Sequence, residues 1–344
     1  MKYPKPLKHE SKIAITAFSS GINQSHLPRF NEIKRALENR GLEVIVGNCL
    51  MQQGKQASSS KEERAKEFQK FLLDDTIDAI APPWGGELAM EILPLLDFDK
   101  IGGAKPKWVF GFSDVSTITA VMHDRLNWAT VHSSNLMDLI DTAEDHLTSH
   151  TLDILAQESG STVIQTASES HTFNWPKIDK DPLAFIKGEI KTEWKWLNPP
   201  KNEPCIKGRL IGGCWDTLFH IFNTEYLDLQ KLKERSPERK LLLFLENVEQ
   251  SPSDLVRSIL NMEFRGVFNV IDGLILGRNF RKDSGDPQEL TYLDVLNRHL
   301  KGKSFPIIYD VDIGHAPPNL TLINGATAEI GIENGRGYLK QILN

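Results

Sequence analysis

The sequence predicts an α/β protein in two parts, the first a parallel sheet wrapped by helices on both faces. Two observations carry this reading. Between residues 12 and 132, apolar runs of strand length alternate with stretches of helical length. The chain of 344 residues can also bury a large core and suits two domains better than one. Parallel sheets bind ligands in the crevice beyond the carboxyl ends of their strands, so chemistry is sought in residues that directly follow strands.

The first strand reads Lys12-Ile-Ala-Ile-Thr-Ala-Phe18, too short and strand-like for the apolar centre of a signal peptide. Ser19-Ser20-Gly21 turns the chain, and Arg29 to Arg40 forms an amphipathic helix ending at Gly41. Leu42 to Val46 is a second strand; a polar loop, Gln52 to Ser60, then leads to a charged helix from about Lys61 to Leu73. Ile77 to Ala81 is the third strand, and it runs straight into Pro82-Pro-Trp-Gly-Gly-Glu87 before a helix over Leu88 to Leu96. Paired glycines at a strand end let backbone N–H groups approach a ligand closely. The pattern is neither a P-loop nor a dinucleotide fingerprint, and a plain tight turn explains it equally well.

Trp108 to Phe110 form the next buried strand, Gly111 permits a turn, and Val115 onward is apolar at helical spacing. Ser113 therefore sits at a strand-to-helix turn, its hydroxyl beside the N–H groups of the first helical turn, where anions are favoured. That is what a nucleophilic serine needs. The local pattern alone favours a helix cap, because Ser and Asp are preferred there and Gly-Phe-Ser-Asp-Val lacks the second glycine of a nucleophile elbow.

A strand at Ala129 to Val131 and a polar segment, His132 to Asn135, follow, then a helix between Asp145 and Gln157. From Gly160 to Pro204 short alternating strands and prolines take over, with two tryptophans, Trp194 and Trp196, in Glu193-Trp-Lys-Trp-Leu-Asn-Pro-Pro200. They suit either the core or a stack on a flat ligand group. The loss of periodicity places a linker over residues 168–184, between an N-terminal domain at 1–167 and a C-terminal domain at 185–344. In the second half, Gly208 to Leu218 reads strand, glycine turn, helix, and the strand from Lys240 delivers Glu246. Ser253 to Phe264 is a helix and Gly273 to Gly277 a strand; Pro306 to Val311 is a strand delivering Gly314-His-Ala-Pro-Pro-Asn319, and Ala326 to Leu343 closes the chain as a hairpin turning at Asn334-Gly335.

Composition excludes several classes. With 40% hydrophobic and 25% charged residues the chain is an ordinary globular one, and its net charge of -6 argues against a nucleic-acid partner. No apolar run is long enough to span a bilayer, so a cytoplasmic protein without a membrane partner is expected. The three cysteines, Cys49, Cys205 and Cys214, are scattered and read as small buried hydrophobes. No histidine spacing marks a metal site, and no cofactor is indicated.

Ser113, Glu246 and His315 all follow apolar strands. A serine becomes nucleophilic when a histidine takes its proton, and the histidine needs a carboxylate to fix its tautomer. One residue of each type stands at an edge position. Glu246 also suits a surface ion pair, His315 a structural hydrogen bond, and His132 is a rival base because it too follows a strand.

Taken together, the motifs resemble the LD-carboxypeptidase family of serine peptidases, in particular the branch that includes the microcin C self-immunity protein. The resemblance runs from Ile13 to about Ile332. It rests on Trp84-Gly-Gly86 with Ile92-Leu-Pro-Leu-Leu-Asp97, on Lys105 to Val115, on Gly208-x-Leu-x-Gly-Gly213, on Leu243-Phe-Leu-Glu246, on Gly273 to Gly277, and on Gly314-His-x-x-Pro-Asn319. It implies Ser113 as nucleophile, Glu246 as orienting acid, His315 as general base, and an oxyanion hole of Gly86 and Asp114 N–H groups. The implied fold is an N-terminal parallel domain, Rossmann-like and glutamine-amidotransferase-like, plus a smaller C-terminal α/β domain with the active site in the cleft between them. A homodimer is implied as well. Departures from the family pattern at Phe18, Glu87, Cys214 and Trp215 bear on specificity, so substrate contacts are expected from Trp84, Glu87, Trp194, Trp196 and Trp215.

The expected function is hydrolysis of an amide next to a C-terminal residue, as in a murein tetrapeptide. A second reading keeps the chemistry and takes a peptidyl- or aminoacyl-nucleotide as substrate. A third, from another class, is a ligand-binding protein that keeps the cleft without catalysis.

Overall fold

The computed structural model describes residues 1–52, 54–201 and 203–344. Gln53, in the expected polar loop, and Asn202, before Pro204, lie outside them. The first strands are β1 (Lys12–Ile15), β2 (Glu43–Val46), β3 (Ala79–Ala81), β4 (Trp108–Gly111) and β5 (Thr130–His132), all parallel. β6 (Thr162–Thr166) and a small pair, β7 (Ser170–His171) and β8 (Ile190–Lys191), lead to β9 (Lys195–Asn198). β10 (Cys205–Cys214), β11 (Leu241–Glu246), β12 (Gly273–Gly277) and β13 (Ile307–Val311) are again parallel, and β14 (Leu322–Asn324), β15 (Thr327–Glu333) and β16 (Arg336–Ile342) end the chain.

Two sheets result. The first has six strands in the order β14-β5-β4-β3-β1-β2, and the second has eight in the order β6-β16-β15-β10-β11-β12-β13-β9. β4 and β11, near the centres of the two sheets, are buried at every position, and β11 is apolar up to Glu246 at its end, as expected of parallel strands covered on both faces. Local rules explain the flanking elements. The helix Lys61–Leu73 starts on a Ser60–Glu63 capping box, Pro252–Phe264 starts on Ser251 and Asp254 with proline at its first position, and the β15–β16 hairpin turns on Asn334 and Gly335, both at positive φ.

Several expectations need amendment. Residues 89–95 form a 3₁₀ helix rather than an α-helix, with Pro94 inside it, and the helix expected from Asp145 to Gln157 is broken into His146–Ser149 and Thr151–Leu155. Two strands cross the division drawn from the sequence. β6, inside the stretch assigned to the first domain, pairs with β16 in the second sheet, and β14, late in the chain, pairs antiparallel with β5 in the first. Short alternating strands carry no sign of which sheet they join.

One hydrophobic cluster runs from Phe68 and Ile118 to Trp215 and Leu243, so the two sheets share a core across the helix Val115–Leu126. Ser116 on that helix accepts the N–H of Cys214 at 2.9 Å, fixing the end of β10 against the turn that follows β4. The carboxyl ends of both sheets therefore open on one cleft. Among the described residues, no helix is long and apolar enough to cross a membrane.

Candidate active site

Ser113 occupies the left-handed region at φ 63°, a conformation that costs an L-residue roughly 1–2 kcal/mol and survives only where its surroundings impose it. Those surroundings are visible. Phe112 N–H donates to Asn135 Oδ1 at 3.0 Å, and the N–H of Ser116 closes the turn on Ser113 O at 2.9 Å. The Asp114 carboxylate is buried and accepts from Ser19 Oγ at 2.6 Å, Ala89 N at 2.8 Å and Thr117 Oγ1 at 3.1 Å. Burial, the largest influence on it, raises that carboxyl above its ordinary range. Gly85 packs against the turn so closely that a Cβ there would lie 2.8 Å from both Asp114 N and Ser113 Cβ. Among the described residues, neither Gly86 N–H nor Asp114 N–H donates a hydrogen bond.

The second sheet supplies the other two groups. Glu246 ends β11 and is buried. His315 lies four residues beyond β13; its Nδ1 is 2.9 Å from Glu246 Oε2 and its Nε2 is 3.0 Å from Ser113 Oγ. With the Nδ1 proton donated to the carboxylate, Nε2 is free to accept from the serine hydroxyl. Burial alone would depress His315, but the Glu246 carboxylate outweighs it and holds the imidazole above the usual histidine value. In return, His315 offsets the burial of Glu246 and keeps its carboxyl below the ordinary range. Gly314, at φ 100°, lets the loop press onto the acid, since a Cβ would sit on Glu246 Oε2.

A buried ion pair holds this loop from behind. Arg278 donates to Ala316 O and Pro318 O, at 2.6–2.9 Å, and to Asp312 Oδ1 at 2.8 Å. Asp312 also accepts from Ser168 and from Trp194 Nε1 at 2.7 Å. The expected linker is thus part of the site's frame. Within it, Trp175 donates from Nε1 to His315 O at 3.1 Å and stacks on Phe112 with centroids 6.0 Å apart. Sequence reading missed Trp175; the available signal was the aromatic pair Phe173 and Trp175 in a largely polar stretch.

Ser113, Glu246, His315, Gly86 and Asp114 come together, and Glu87 stands exposed on the wall of the adjoining cleft. None of the four tryptophans expected to contact substrate lines this cleft. Trp194 is buried and bonded to Asp312, Trp215 is 1% exposed in the shared core, and Trp196 packs on β9 opposite Ile308. Trp84 turns away to donate to Gly21 O at 3.3 Å, its ring against His26. His132, the rival base, is fully buried beside Ser116 at 3.3 Å rather than Ser113, and burial lowers it to about 4.

A hydroxyl, an imidazole and a carboxylate in hydrogen-bonded series where two α/β sheets meet define a hydrolase-type site. Residues 13–133 match the LD-carboxypeptidase N-terminal domain and residues 207–330 the LD-carboxypeptidase C-terminal domain. The chain belongs to the LD-carboxypeptidase family, a family of hydrolases. A Vibrio cholerae relative, provisionally named a carboxypeptidase, is 26% identical, covering 97% of this chain and 96% of its own length. The microcin C7 self-immunity protein MccF of Escherichia coli is 25% identical over 96% of this chain and 93% of its own. The solved structure of MccF in complex with glutamyl sulfamoyl guanosine superposes with a TM-score of 0.83 at 22% identity, covering 99% of each chain, which establishes the shared fold.

Proposed function

We propose that this protein is a serine hydrolase of the LD-carboxypeptidase type, cleaving an amide bond next to a C-terminal residue in a murein tetrapeptide-like substrate. The observation that carries the proposal is His315 within hydrogen-bond reach of both Ser113 Oγ and Glu246 Oε2. Ser113 Oγ attacks the scissile carbonyl while His315 Nε2 takes its proton, and Glu246 stabilises the resulting imidazolium. The oxygen that becomes negative is received by the N–H groups of Gly86 and Asp114; one such donor is worth about 3 kcal/mol of barrier in comparable sites. His315 then protonates the leaving amine, and water, activated by the same imidazole, releases the acid and restores Ser113.

A second reading, hydrolysis of a peptidyl- or aminoacyl-nucleotide, is favoured by the aromatic pair Phe112 and Trp175 next to His315, a platform of the kind on which a nucleobase stacks. The similarity to MccF points the same way. Incubating the protein side by side with murein tetrapeptide and with an aminoacyl sulfamoyl adenosine separates the two: release of D-alanine supports the first, release of free amino acid from the nucleotide the second. Turnover of neither contradicts both, and a non-catalytic ligand-binding protein is then left. The family resemblance further supports a cytoplasmic homodimer, for which sedimentation should give twice the chain mass.

A further inference from the structure

The two N–H groups proposed to receive the oxyanion stand on different loops, and hydrogen bonds aim both. Gly86 N–H shares a peptide unit with Gly85 O, which accepts the N–H of Ser20 at 3.2 Å; Asp114 N–H shares one with Ser113 O, which accepts the N–H of Ser116 at 2.9 Å. In a trans peptide the oxygen and the hydrogen point in opposite directions, so fixing each carbonyl fixes the direction of its N–H. The unit joining Gly85 to Gly86 lies against the nucleophile. A Cβ on Gly85 would be 3.0 Å from Ser113 Oγ, and one on Gly86 would be 2.5 Å from Ser19 Oγ and 2.7 Å from Ser20 N.

The Asp114 side chain joins these parts. It directly precedes the helix Val115–Leu126, where a cap is expected, yet it makes no capping hydrogen bond to that helix. Its Oδ2 reaches out instead to Ser19 Oγ at 2.6 Å and Ala89 N at 2.8 Å, and Ser19 Oγ in turn accepts the N–H of Leu88 at 3.0 Å. One carboxylate oxygen thus clamps the loop after β1, which carries Ser20, to the loop after β3, which carries Gly86. Asp114 is only 2% exposed, and a carboxylate is costly to bury. From behind, the buried Arg64 holds Phe18 O and Leu88 O at 2.8 and 2.9 Å, a second tie between the same two loops. Among the described residues, only the two bonds at Asp114 Oδ2 join those loops to the turn carrying Ser113 by hydrogen bonding.

We infer that Asp114 is a positioning residue for the oxyanion hole. Its own N–H is one donor, and its carboxylate, through Ser19, Ser20 and Gly85, holds the other beside it. This rests on the hydrolase reading, which supplies the oxyanion.

The test is the rate at which a serine-directed fluorophosphonate labels the protein. Ser113 Oγ bonds to phosphorus, its proton passes to His315 and fluoride leaves, while the phosphoryl oxygen draws on the same two N–H groups. Asp114→Ala should slow labelling about a hundredfold, the low end for losing one oxyanion donor, and lower kcat in parallel with KM changed less than about threefold. Labelling should still run to completion. A merely structural role would lower the labelled fraction and leave the rate constant. Ser19→Ala cuts the arm toward Ser20 alone and should slow labelling roughly tenfold; it decides by itself if Asp114→Ala does not fold. Asp114→Asn, whose amide oxygen can accept from Ser19 and Ala89 and whose NH₂ can donate to Thr117, should recover at least about tenfold of the loss. An undiminished rate constant in Asp114→Ala or Ser19→Ala, or no recovery in Asp114→Asn, overturns the positioning role, while labelling and turnover by the intact protein uphold the hydrolase. The predicted slowing without turnover of murein tetrapeptide or aminoacyl sulfamoyl adenosine upholds the positioning role and contradicts the proposed substrates. An intact protein that is neither labelled nor active overturns both.

Discussion

The two shores of the cleft are made rigid by different means. On the first, Ser113 is held by a left-handed turn, a glycine pressed against it, and the hydrogen bonds that Asn135 Oδ1 accepts from Phe112 N–H and the Asp114 carboxylate accepts from Ser19, all drawn from residues 19–135. On the second, the His315 loop hangs on a buried ion pair, Arg278 with Asp312, which gathers Ser168 and Trp194 from distant parts of the chain. A nucleophile must sit at one point, and a strained turn delivers it there. A base must hold two bonds while shuttling a proton, and its loop needs a frame that does not shift when its charge changes.

The largest effects should come from breaking the line that joins the two shores. Ser113→Ala is expected to lower kcat about 10⁴-fold or more with folding unchanged, as measured by product release and circular dichroism. Glu246→Gln should cost about 10⁴-fold, because an amide cannot fix the tautomer or stabilise the imidazolium. Retention of activity in either variant would mean that the two shores do not act together.

Next comes the frame of the second shore alone. Arg278→Met leaves Asp312 buried without its partner, and breaking such a pair costs about 3–5 kcal/mol; urea unfolding measures it. Arg278→Met/Asp312→Leu should recover part of that stability, yet still lower kcat, since Ala316 O and Pro318 O lose their donor. The corresponding cut on the first shore, Asn135→Ala, removes one hydrogen bond from Phe112 N and should cost only about 1–3 kcal/mol. If Asn135→Ala proved the more damaging, the contrast between the shores would be wrong.

The smallest effect is one of pH. His315 must be neutral to act as base, and Glu246 holds it above the ordinary histidine value, so kcat/KM should fall as pH drops through a midpoint above 6.5. In Glu246→Gln, burial loses its largest opponent and only the charges of Asp216 and Glu249 still act against it, so the residual activity should show that midpoint moved to lower pH.

The same contrast explains what was legible in the sequence. The first parallel sheet and the strand ends carrying Ser113, Glu246 and His315 follow from periodicity and local residue chemistry within a few positions. Arg278 and Asp312 carried no such signal. One follows β12 and the other β13, and only the fold reveals that they meet. The tryptophans misled for a related reason. Trp194 and Trp196 sit among prolines and charges, a setting that looks exposed, but Asp312 and Ile308 wait across the second sheet. Trp175, four residues beyond a β-strand only two residues long, reaches His315 through contacts with no spacing rule.

The most direct test of the account is intact-mass analysis after reaction with a serine-directed fluorophosphonate, followed by peptide mapping. One adduct per chain on Ser113, lost in Ser113→Ala and slowed at least about a hundredfold in His315→Ala, is the predicted result. An adduct on another serine, or labelling of Ser113 at an undiminished rate without His315, would contradict it.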